Sequence, residues 1–154
     1  MVWEEVEPKV HQLLSQFGHP DVIMLHCGGN SIGTMSLRHL QKFMKATIVN
    51  IQNALPNSKI VWSQILPRNY YRHMFSHHAA EKARVRINSS LSNFIMSKNG
   101  GYIHYPDLKQ CTQKLFSDGT HLSDIAQVLF LNSIQGGLYN IICKNAKIYP
   151  LPTS

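Results

Sequence analysis

The chain predicts an α/β fold of three layers, α/β/α, with a parallel sheet covered by helices on both faces. Two observations carry this. Short apolar runs, VIML at 22–25, KIVWSQI at 59–65 and YIHY at 102–105, have the length and composition of buried strands. Longer stretches with apolar residues at three- and four-residue steps separate them, so the strands require right-handed crossovers through helices.

Trp3, Val6, Val10, Leu13, Leu14 and Phe17 form the stripe of a first amphipathic helix. Pro8 belongs in its first turn, and Gly18 and Pro20 stop it. A strand at Val22–His26 follows, and Gly28-Gly29-Asn30-Ser31 breaks it. Ser36 is the expected N-cap of a second helix whose buried face runs from Leu37 to Ile51. Lys59–Ile65 is the second strand, turned out by Leu66-Pro67 into a loop from Arg68 to His78. Ala80 to Ile95 spaces as a third helix, closed by Asn99-Gly100-Gly101, and Tyr102–Tyr105 is a short third strand. An irregular stretch reaches Thr120. A last helix spans Leu122 to Ile142, with Gly136-Gly137 a candidate bend. The expected domain is 3–145, and 146–154 reads as a flexible tail. Three strands, with a helix before the first, make the sheet look incomplete, its first strand or strands missing.

The composition is that of a globular chain: 44% hydrophobic and 15% charged over 154 residues. No apolar run approaches the ~20 residues of a membrane span. The amino terminus, MVWEEVEPKV, is acidic and fits neither a signal nor a transit peptide, so an intracellular, cytoplasmic location is the expectation. Cys27, Cys111 and Cys143 have no paired spacing, which argues against a disulfide framework, and Cys27 reads as a small buried hydrophobe.

In a parallel sheet, ligands collect just past the carboxyl ends of strands. Asn30 sits there, where Gly28 and Gly29 allow close backbone approach. Its amide can donate to a developing oxyanion, or serve as an ordinary turn residue. Asp118-Gly119-Thr120-His121 is the other informative stretch. A carboxylate three residues before a histidine can bond Nδ1 and leave Nε2 as a base. Equally, it can cap a turn beside a surface histidine.

These segments together resemble the SGNH (GDSL-type) hydrolase superfamily. Gly28-Gly29-Asn30-Ser31 is similar to the family block Gly-x-Asn-Asp, Asp118-Gly119-Thr120-His121 to the block Asp-x-x-His, and Trp62 to Pro67 to a strand ending in a Leu-Pro turn. The resemblance implies a flavodoxin-like esterase domain acting on a small ester without a cofactor. It makes Asn30, with Gly28, the oxyanion element, His121 the general base and Asp118 its orienter. Two departures stand out. Ser31 replaces the family's second Asp, which implies altered local hydrogen bonding. The nucleophile block Gly-Asp-Ser is absent, since the four aspartates precede Val22, Leu108, Gly119 and Ile125. As written, the chain is expected to be inactive. Without the strand that carries the serine, the strand at 22–26 is expected to be a sheet edge prone to self-association.

The formal charge of +7 supports an alternative. Arg68, Arg72, Arg84 and Arg86 are candidate anion-binding residues in a basic stretch, 68–86, that reads as a solvated face or as a surface for RNA or DNA. Domains resembling this one accompany retroelement proteins, which adds to the nucleic-acid reading. A metal site built from His26, His77, His78 and His121 lacks ligand spacing, so no metal is expected.

Overall fold

The computed structural model describes residues 1–108, 116 and 121–152. A 3₁₀ turn at Trp3–Glu5 leads into α1 (Val6–Phe17), β1 (Val22–Leu25), a 3₁₀ turn at Gly29–Ser31 and α2 (Leu37–Ala54). Then come β2 (Lys59–Ser63), α3 (His77–Ser97), β3 (Gly101–Ile103), a turn at Pro106–Leu108, α4 (Asp124–Cys143) and β4 (Ile148–Tyr149). The strands form one sheet in the order β1-β2-β3-β4, and every pair is parallel. Val22 pairs with Lys59 and Leu25 with Trp62, while Trp62 pairs with Tyr102.

Side-chain alternation divides the core into two halves. Ile60 and Trp62 point to one face, where α1, α2 and α3 bury Trp3, Val6, Met44, Ile48, Ile87 and Leu91. Val61 and Ile103 point to the other, against Ala126 and Ile141 of α4. Helices on both faces make the three layers expected from the alternation of strand and helix signals. Serine hydroxyls cap three helices: Ser36 accepts from His39 N, Ser76 from Ala79 N and Ser123 from Ala126 N.

The carboxyl-terminal segment departs from expectation. Ile148–Tyr149 is a fourth strand, where Tyr102 N donates to Lys147 O (2.8 Å) and His104 N to Tyr149 O (2.9 Å). Two residues are too few to show alternation, so the sequence pattern concealed it. The Gly136-Gly137 pair is no bend: α4 runs through it, and the missing side chains admit Tyr149 and Ile103. The first three strands each stop short of the expected end, and Leu13 and Phe17 of the α1 stripe are exposed.

β1 lies at one edge of the described sheet, with Val22, Ile23 and Met24 only half-buried. Because β1 and β2 are parallel neighbours, the segments leaving their carboxyl ends, Gly28–Asn30 and Ile65–Arg68, emerge side by side. That juxtaposition creates the site.

Candidate active site

A cavity of about 190 Å³ opens past the ends of β1 and β2. His26, Cys27, Gly28, Gly29 and Asn30 line it from the first strand, Ile65, Leu66 and Arg68 from the second, with Met1 and Phe116 completing the wall. Gly28 has φ +106°, and an added Cβ would stand 2.9 Å from the Met44 side chain. The left-handed backbone conformation requires glycine here, while the tip of the Met44 side chain is flexible enough to move aside. The Gly29 position is closed differently, since a Cβ would lie 2.6 Å from Arg68 Nη2. The guanidinium rests where a side chain would otherwise be.

Arg68 Nη1 donates to Asn30 Oδ1 at 2.7 Å. A guanidinium can only donate, so this bond fixes the amide orientation and makes Nδ2 the donor end. Nδ2 makes a long contact, 3.4 Å, to Met1 O. Ser31, the departure from the family block, is buried, and its hydroxyl accepts from Trp3 N at 2.7 Å. It ties the amino-terminal turn to the site loop. Trp3 in turn donates from Nε1 to Thr47 Oγ1 (3.0 Å), so the loop is anchored through the core to α2.

The register of β1 and β2 places His26 beside Ser63. His26 Nδ1 is 2.8 Å from Ser63 Oγ, which is also bonded to Tyr105 OH. Phe130 packs on the rings of both His26 and Tyr105, at 4.8 and 4.9 Å between centroids. Part of the His26 ring stays open to the cavity. The packing of the rest, helped by the positive charge of Arg68, lowers its pKa to about 4, so the imidazole is neutral at pH 7. Burial pushes the Tyr105 hydroxyl up to about 12 and the Cys27 thiol up to about 12. A thiol so shifted is a poor nucleophile at neutral pH. The His26–Ser63–Tyr105 chain escaped the sequence reading, because residues 37 and 42 positions apart meet only through the sheet.

Behind the β2 turn lies a second polar cluster. Asn88 Oδ1 accepts from Ile65 N (2.8 Å) and Trp62 Nε1 (3.2 Å), and its Nδ2 donates to Ile65 O (3.0 Å). Arg84 Nη1 also donates to Ile65 O, at 3.1 Å. Its Nε and Nη2 fork onto Glu81 Oε2 at 3.0 and 2.8 Å. Glu81 Oε1 accepts from Tyr71 OH (2.5 Å) and Arg68 N (3.3 Å). Burial works to raise the Glu81 pKa, but the bonds from Arg84 and Tyr71 outweigh it and hold the carboxyl below its ordinary value.

The residues singled out from the sequence therefore fall into groups. Asn30, Gly28 and Arg68 meet at the cavity. Arg84 is buried and committed to Glu81, while Arg72 and Arg86 are exposed on surfaces outside the cavity wall. His121 is exposed, two residues before the α4 cap Ser123. Its neighbour Leu122 forms an antiparallel bridge with Phe116, which lines the cavity. Asp118 lies outside the described residues. His77 Nε2 sits 2.7 Å from Arg68 O, and among the described residues no three metal-ligating side chains cluster.

No family model matches the sequence, and no curated protein is similar to it. Solved structures do match. A Bacteroides fragilis protein described as an acylhydrolase is similar with a TM-score of 0.72 at 13% identity, over 91% of this chain and 71% of that one. The psychrotrophic esterase EstA from Pseudoalteromonas, in a form inhibited by monoethylphosphonate, gives 0.67 at 16% identity, over 93% and 74%. A Streptococcus pneumonia protein described as a platelet activating factor gives 0.64 at 20% identity over 77% of this chain. The chain spans 60% of that protein's length. At these identities the likeness is one of fold. The chain shares the three-layer α/β/α fold of these proteins.

Proposed function

We propose that the chain is the greater part of an SGNH-type ester hydrolase domain acting on a small ester. The observation that carries this is Asn30: its amide, held in one orientation by Arg68, stands at a cavity past the carboxyl end of β1. In the reaction a serine hydroxyl attacks the ester carbonyl while His121, oriented by Asp118, takes its proton. The oxyanion accepts from Asn30 Nδ2, the alcohol leaves protonated by His121, and water releases the acyl group by the same steps in reverse order. Loss of one such oxyanion donor typically costs about 10²–10³ in rate.

The chain has no Asp-Ser, and burial raises the Cys27 thiol away from the reactive thiolate form, so we assign the serine to a preceding segment. The edge position of β1 supports a preceding strand that pairs there and presents Gly-Asp-Ser. The test is fluorophosphonate labelling of this chain beside a version extended upstream. Labelling of the longer form alone supports the proposal; labelling of neither overturns it.

The nucleic-acid alternative has less support. Of the four arginines it relied on, one is buried against Glu81 and another faces the cavity. Among the described residues no helix is long and apolar enough to cross a membrane.

A further inference from the structure

Arg68 differs from Arg72 and Arg86, which are exposed, in being half-buried in the cavity wall, and from Arg84 in having no carboxylate partner for its guanidinium among the described residues. Glu81 accepts from the Arg68 backbone N–H but gives its charge to Arg84. A guanidinium carries five N–H donors, and the bond to Asn30 occupies one. Meanwhile the group is half-buried in a cavity wall, which lowers its pKa. A cation so placed gains most from a counter-charge delivered into the same space.

We propose that the cavity binds the oxyanion group of a small ligand, a carboxylate or phosphate, between the Arg68 guanidinium and the Asn30 amide. This rests on the reading of the cavity as an ester-hydrolase site and assigns a negative charge to what enters it. Arg68 is positioned for the task. Its backbone N–H is held by Glu81 and its carbonyl by His77, and its guanidinium occupies the space left by Gly29. Ile65, Leu66 and Phe116 offer an apolar wall for a short carbon chain. The volume, about 190 Å³, suits a small group. His26, uncharged, neither competes for the anion nor repels the guanidinium.

The test is an amide-resolved NMR titration of the chain with butyrate, inorganic phosphate and, as the uncharged control, butyramide. The expected result is saturable shifts at Gly28, Gly29 and Asn30 with at least one anion and none with butyramide; the tighter anion identifies the source of the charge. Arg68→Gln should weaken that binding about tenfold or more. Arg72→Gln, on the exposed loop, should change it less than about twofold. Gly29→Ala keeps the charge but occupies the place of the guanidinium, so it too should weaken binding, and it serves if Arg68→Gln does not fold. Equal binding by parent and by whichever of these two variants folds, or no response to either anion, overturns the proposal. No arm needs a nucleophile. Failed labelling with intact anion binding therefore overturns the hydrolase reading alone, and labelling without anion binding overturns this one alone.

Discussion

Two polar clusters flank the turn after β2, each built on an asparagine and an arginine, and they are completed to different degrees. In the one beneath the turn, Asn88 and Arg84 saturate both backbone groups of Ile65, and Glu81 neutralises the arginine. Both residues are buried. In the one above it, Asn30 is exposed and Arg68 lacks a carboxylate among the described residues. The first cluster uses its hydrogen-bonding capacity on the chain itself, which makes it structural. The second keeps capacity facing a cavity, which is what recognition of a ligand requires.

If that contrast is right, substitutions in the two clusters should separate stability from binding. Asn88→Ala should destabilise by about 3–5 kcal/mol, because Ile65 N, Ile65 O and Trp62 Nε1 each lose a partner where water cannot replace it. Urea unfolding measures this, and a loss under about 1 kcal/mol would contradict it. Ser31→Ala, which leaves the buried Trp3 N–H without its acceptor, should cost about 1–3 kcal/mol in the same assay.

Acid should act on the two clusters in different pH windows. The carboxyl of Glu81 is held below its ordinary value, so its contribution is complete above about pH 4.3 and is lost as pH falls through the folded pKa. Glu81→Gln should therefore be less stable at neutral pH and show a shallower loss of stability below about pH 4. His26 acts over a neighbouring window. With a pKa near 4 against about 6.5 in the unfolded chain, it stays neutral while the unfolded state takes up a proton between those values. Stability should decline across that range as pH falls, and the His26 ring signals should titrate near 4; a midpoint near 6.5 would contradict the packing described. The smallest effect belongs to Asn30→Ala, which should change stability by no more than about 0.5 kcal/mol.

The contrast was only partly legible in the sequence. The break at Gly28–Asn30 after an apolar run marks a strand end and a site loop through purely local signals. The layers followed from strand and helix periods in the same way. Arg68 and Arg84, by contrast, look alike in a basic stretch, and only the fold divides them. The three-residue spacing of Glu81 and Arg84 on one helix was an available signal for their pairing. Nothing local marks Asn88 as buried, or sets His26 against Ser63 and Tyr105, because those contacts depend on strand register. The strand at Ile148–Tyr149 was hidden by its length.

Fluorophosphonate labelling of the upstream-extended protein, with and without Asn30→Ala, tests the central assignment most directly. Asn30 as oxyanion donor predicts that the extended parent labels and that the variant, equally stable, labels about 10²-fold more slowly. Equal labelling rates in the two proteins would contradict it.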